Sequence, residues 1–173
     1  YFNLDGEDSG SVEGQHLQIF ADSFAENDAG CLPTGRIVSL DSEEGAPFDF
    51  REPTEIGKRL HEENIHLKNG SGYDHNYLLK KQPDGLCARA YSRSSGILLE
   101  CRTSEPGMQL YTGNFLSTSN IVGKGGKSYA DRAGFCLETQ HYPNAMEHPE
   151  FPSVVLPAGE LYDTTTEYHI SLL

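Results

Sequence analysis

Leu86-Cys87-Ala88-Arg89-Ala90-Tyr91-Ser92-Arg93-Ser94-Ser95-Gly96-Ile97-Leu98-Leu99-Glu100-Cys101-Arg102-Thr103 decides the fold class. Leu86–Tyr91 and Ile97–Thr103 have the length and apolar content of strands, and Ser94-Ser95-Gly96 between them reads as a hairpin turn. Working outward, the same period-two signal recurs wherever turn residues allow it. Downstream, Pro106-Gly107 introduces a strand over Met108–Thr112, and Gly134–Gln140 reads as another. Leu161–Leu173 reads as a long strand, with Tyr162, Thr164, Thr166, Tyr168, Ile170 and Leu172 at alternate positions. Upstream, Tyr73–Lys80 precedes the turn Pro83-Asp84-Gly85, and Arg36–Leu40 forms a further strand. Gln15–Ala21 is expected as one strand with Leu17, Ile19 and Ala21 on one side. Turns are expected around Asn27-Asp28-Ala29-Gly30 and Pro33-Thr34-Gly35. Helix is scarce: Thr54 caps a short one that places Ile56 and Leu60 on one face. Short strands joined by tight turns predict an all-β, antiparallel architecture.

With 173 residues, the chain is expected to form a single domain over 1–173 with a core of its own. Its 13 Lys and Arg against 26 Asp and Glu give a net charge of −13, which repels phosphate backbones and anionic lipid. Nucleic acid and membrane are therefore not expected partners. No apolar run approaches the roughly 20 residues of a membrane span. Tyr1–Asp8 lacks the basic and apolar regions of a signal peptide, so the chain is expected to be soluble. Cys31, Cys87, Cys101 and Cys136 are scattered and contain no C-x-x-C pair, which suggests free thiols in a reducing compartment. Cys87 and Cys101 flank the hairpin and would face each other across two strands if register allowed, so a bond between them is the alternative.

Asp74, Gln109 and Glu138 stand out because they interrupt strands that otherwise bury well. In Gly134–Gln140, alternation places Glu138 with Cys136 and Gln140, opposite Phe135, Leu137 and Thr139. A carboxylate there faces solvent or lines a cleft, because burying it unpaired is costly. Asp74, in Tyr73-Asp74-His75-Asn76-Tyr77, fits either a sugar-binding surface or a strand end. His75 points to the opposite strand face and reads as structural. Gln109 either binds a ligand or satisfies backbone groups at a strand start.

Other chemistries find no motif. The seven histidines, His16, His61, His66, His75, His141, His148 and His169, contain no H-x-x-x-H pair, so no metal site is expected. There is no G-x-S-x-G elbow. Glu43-Glu44 and Glu62-Glu63 are adjacent in sequence and not set up to oppose each other across a cleft, as a glycosidase dyad requires. Asn120–Ala133, with Gly123, Gly125 and Gly126, is expected as an exposed loop and not a phosphate cradle, since no strand-to-helix transition surrounds it. No cofactor is implied.

At these residues the chain resembles the galactose mutarotases, or aldose 1-epimerases. Tyr1-Phe2-Asn3-Leu4 is similar to the end of the family's N-H-x-Y-F-N-L motif, and Leu32-Pro33-Thr34-Gly35 to its P-T-G turn. Gly72-Tyr73-Asp74-His75-Asn76-Tyr77 is similar to its G-x-D-H-N-[FY] motif. The segments Pro106–Leu116, Gly134–Gln140, Pro143-Asn144-Ala145, Phe151-Pro152 and Pro157–Tyr162 follow in the family's order. The resemblance implies an antiparallel β-supersandwich, of which this chain is the C-terminal part. It implies interconversion of the α and β anomers of free aldohexoses, galactose or glucose, in the cytoplasm. Glu138 would be the general base, an ionised carboxylate whose reference pKa of about 4.3 modest burial would raise. Asp74 and Gln109 would hold sugar hydroxyls. The family's acid histidine lies two positions before the Tyr-Phe-Asn-Leu motif, ahead of Tyr1. A further histidine and an arginine come from the first half of the domain, expected as a separate or unrecorded segment. Without them the chain is expected to lose most of the catalytic rate. The alternative function is a non-catalytic, lectin-like carbohydrate-binding protein that keeps Asp74 and Gln109.

Overall fold

A computed structural model describes residues 1–119 and 122–173. Asn120 and Ile121, the start of the expected 120–133 loop, lie outside the described residues, and most of residues 122–133 are exposed. In chain order the strands are β1 His16–Ile19, β2 Ala21–Asn27, β3 Pro33–Ser39, β4 Thr54–Glu55, β5 Asp74–Leu79, β6 Leu86–Tyr91, β7 Ile97–Thr103, β8 Gly107–Tyr111, β9 Cys136–Gln140 and β10 Thr166–Leu172. Among the described residues one α-helix, α1 Ile65–Gly70, precedes β5, and the other helical pieces are short 3-10 turns. The strands form two five-stranded sheets, ordered β10-β7-β6-β1-β4 and β3-β2-β5-β8-β9. The pairings within them are antiparallel.

One apolar core joins the sheets. Leu17, Ile19, Ala88, Ala90, Leu99 and Cys101 come from the first sheet, and Phe24, Val38, Tyr77, Met108, Leu110 and Leu137 from the second. Phe48 stacks on Phe24 at 4.2 Å between ring centroids and meets His75 edge-on at 4.8 Å. Burying such aromatic side chains dominates the energetics of a core this size. The β6–β7 hairpin closes at the expected place: Ser92 N–H donates to Ile97 O at 3.0 Å, and Gly96 takes a φ of +71° that a side chain would oppose.

Several local expectations are corrected. Gln15–Ala21 is not one strand. The chain changes sheets at Phe20, whose N–H donates to Cys87 O at 2.9 Å while its carbonyl accepts from Lys80 N–H at 2.8 Å. Leu17, Ile19 and Ala21 are all buried as expected, because both strands turn the same face to the shared core. Pro33-Thr34-Gly35 lies within β3; the turn closes earlier, where Asp28 N–H donates to Leu32 O at 2.9 Å. Thr54 caps no helix but pairs with Leu17 in β4, and Ile56–Lys58 is a single 3-10 turn. The true helix, α1, starts at Asn64, whose side chain accepts from His66 and Leu67 N–H. The last strand is shorter than expected, beginning only at Thr166.

All four cysteines are free. A register shift between Leu86 and Ala88 puts Ala88, not Cys87, opposite Cys101. Cys87 Sγ donates to the Cys101 carbonyl at 3.2 Å instead.

Candidate functional site

β5, β8 and β9 lie side by side, and their register decides which side chains meet. Asp74 pairs with Tyr111 and Tyr111 with Cys136; one step along, Asn76 pairs with Gln109 and Gln109 with Glu138. Gly107 pairs with Gln140. Side chains alternate across a strand, so Asp74, Asn76, Gln109, Tyr111, Cys136, Glu138 and Gln140 project to one face. His75, Tyr77, Met108, Leu110 and Leu137 project into the core, where all are buried. Directly opposed residues in such a pair have Cβ atoms about 5 Å apart, so Gln109 and Glu138 are close enough to reach one small molecule.

Asp74 is held from several sides. Its Oδ1 accepts from Gln109 Nε2 at 2.7 Å, its carbonyl accepts from Asn27 Nδ2 at 2.8 Å, and its N–H donates to His75 Nδ1 at 3.1 Å. Burial pushes the Asp74 carboxyl above its ordinary value, and the Gln109 hydrogen bond opposes that in part. Gln140 Nε2 donates to Asn76 Oδ1 at 3.1 Å and to Gln109 Oε1 at 3.3 Å. Burial pushes the Cys136 thiol up to about 11; the positive charge of the chain's amino group opposes the rise and the Glu138 carboxylate adds to it. Tyr111 is braced by Phe115 N–H, which donates to its hydroxyl at 3.2 Å, and by the Tyr1 ring 6.2 Å away.

The three residues singled out by sequence therefore share one face. Asp74 and Gln109 touch, and Glu138 sits across from Gln109 on the edge strand β9, exposed, the solvent-facing one of the two placements its strand pattern left open. His75 is fully buried, and burial holds its pKa down to about 3, so it is a neutral core residue. Sequence reasoning missed Asn76, Tyr111 and their contacts as part of the face; the signal available was that each lies two positions from a residue already chosen. Two concavities lie elsewhere. A groove of about 670 Å³ runs between residues 80–85 and 102–106, and another flanks α1. Neither contains Asp74, Gln109 or Glu138, and convergent polar chemistry, not depth, marks the candidate site.

The sequence pattern of the family described as aldose 1-epimerase matches residues 1–169. The chain belongs to the aldose 1-epimerase family. Among curated aldose 1-epimerase relatives, a galactose mutarotase from Bos taurus is 43% identical over 173 residues, covering 99% of this chain and 48% of that protein. An aldose 1-epimerase from Escherichia coli (strain K12) is 37% identical over 172 residues, covering 97% of this chain and 48% of that protein. The crystal structure of an aldose epimerase homologue from C. elegans superposes with a TM-score of 0.84 at 30% identity, covering 100% of this chain and 50% of that one. The two antiparallel sheets thus have the galactose mutarotase-like fold, and the chain spans about half the length of the curated relatives it matches.

Proposed function

We propose that the chain is the C-terminal portion of one galactose mutarotase-like domain and supplies the basic side of a site that interconverts the anomers of free aldohexoses. The observation that carries this reading is the row Asp74–Gln109–Glu138 on one face of adjacent strands. Glu138 takes the proton from the C1 hydroxyl as a general acid protonates the ring oxygen, and the bond from C1 to that oxygen breaks. Rotation about C1–C2 presents the other carbonyl face. Ring closure then returns both protons. Asp74 accepts from one sugar hydroxyl and Gln109 bonds another, holding C1 within reach of Glu138.

The acid is the histidine that the family places just ahead of the Tyr1-Phe2-Asn3-Leu4 motif. Its setting supports this: Phe2 and Phe135 exchange hydrogen bonds at 2.7 and 2.9 Å, which ties the motif to the start of β9 beside the polar face. The remaining sugar contacts would come from the first half of the domain. Galactose or glucose is the substrate class in this reading, and cytoplasmic hexose metabolism its setting, by family analogy. Among the described residues, no helix is long and apolar enough to cross a membrane.

Polarimetry of freshly dissolved α-D-galactose tests the proposal with the protein as isolated. Glu138→Gln should lower kcat by about 10²–10⁴-fold, the usual contribution of a general base, while galactose still binds. A variant that exchanges anomers at the wild-type rate removes Glu138 from the chemistry. Binding without exchange in wild-type material that contains the segment with the acid histidine would favour a carbohydrate-binding protein instead.

A further inference from the structure

An amide side chain presents a donor at one end and an acceptor at the other, and only its partners decide which way it faces. On this face the decision starts at Asp74. An ionised carboxylate only accepts, so Gln109 must turn its NH₂ toward Asp74 Oδ1, 2.7 Å away. Gln109 Oε1 then faces β9, where Gln140 Nε2 donates to it at 3.3 Å. The same Gln140 nitrogen donates to Asn76 Oδ1 at 3.1 Å, anchoring the relay in a side chain only 2% exposed. The relay crosses β8 beside Gly107, whose missing side chain makes the space. A Cβ there would lie 2.7 Å from Asn76 Oδ1 and 3.0 Å from Tyr142 Cδ1.

We propose that Gln140 is a positioning residue for sugar binding: by donating to Gln109 Oε1, it fixes the Gln109 amide so that its NH₂ serves Asp74 and the sugar. This rests on the sugar-binding reading of Asp74 and Gln109. Gln109 keeps a second N–H as a donor, and Asp74 Oδ2 remains an acceptor. The Asp74–Gln109 pair thus offers one donor and one acceptor in a fixed order, suited to two hydroxyls of a hexose. Without Gln140, the Gln109 amide is held at one end only, by Asp74, and can swing about that bond. With a carboxylate at position 140, an acceptor would face the Gln109 carbonyl, and flipping the amide would set that carbonyl against the Asp74 carboxylate instead, so neither orientation satisfies both ends.

Calorimetric titration with D-galactose and polarimetry with α-D-galactose, on wild-type protein and on Gln140→Leu, Gln140→Glu, Gln109→Leu and the Gln109→Leu/Gln140→Leu pair, test this. Gln140→Leu should weaken Kd and raise KM about tenfold, the loss expected of one hydrogen bond in an ordered site, with kcat changed far less. Gln140→Glu, nearly the same shape, should bind at least as poorly. In the Gln109→Leu background, Gln140→Leu should add less than about twofold, because its effect runs through Gln109. An unchanged Kd in Gln140→Glu overturns the proposal, and so does a full further tenfold loss in the Gln109→Leu background. Should the wild type, in a sample that also contains the segment carrying the acid histidine, bind galactose without exchanging anomers, the catalytic reading falls and the Kd comparisons still judge the relay. A wild type that binds no galactose overturns both.

Discussion

Asp74 combines two opposed influences. Burial favours its neutral acid, and the Gln109 amide favours its carboxylate; the net effect is a pKa above the ordinary value. The folded state therefore holds this proton more tightly than the unfolded chain does, and stability at this site falls as pH rises through the raised pKa. Asp74→Asn, which mimics the neutral acid, should raise Tm at pH 7, and the gain should fade in acid as wild-type Asp74 itself protonates. Thermal unfolding across pH checks this, and a Tm gain that persists at low pH contradicts it. The same variant should bind galactose poorly, so the site trades stability for recognition. At this scale the sequence left Asp74, Gln109 and Glu138 individually ambiguous. A strand pattern shows which side of its own strand a residue takes, but which residue on a neighbouring strand it meets depends on register, and register is set by long-range pairing.

β8 is the element on which the polar face depends, since it pairs with β5 on one side and β9 on the other. Its first residue, Gly107, is buried and leaves room for Asn76 and Tyr142. Gly107→Ala should destabilise the fold by about 1–3 kcal/mol, the usual cost of overpacking, and weaken galactose binding by displacing Asn76 from Gln140. Chemical denaturation and titration measure the two effects; wild-type stability with wild-type affinity would show that the space is not needed. β5 to β9 were readable in the sequence because each is bounded by proline or glycine and alternates against a common core. α1 was not readable. Six residues are too few for a helical period, and its start rests on one side chain, Asn64. Thr54 failed for a related reason, because a threonine that caps a helix and one that pairs in a short strand look alike until Leu17 is seen opposite it.

Across the whole molecule, the all-β architecture was legible, but the division into two sheets was not, because alternation is the same whichever sheet a strand joins. The terminal alternation shows that limit most plainly: Tyr168, Ile170 and Leu172 share the side of Leu99 and Cys101 on the neighbouring β7, yet Ile170 is 62% and Leu172 76% exposed. Period two identified a strand there without showing what, if anything, lies against it. Phe20 has a wider consequence. Its amide is held by β6 of one sheet and its carbonyl by Lys80, just past β5 of the other, so neither sheet can open alone without breaking a bond at this residue. In hydrogen–deuterium exchange, the amides of Phe20 and Lys80 should be as slow as the most protected positions of β6 and β5, all exchanging through one global opening. Two sheets with separate protection levels would show that they come apart independently. If they open together, this one residue makes the chain a single cooperative unit, and damage to either sheet is felt as lost protection in both.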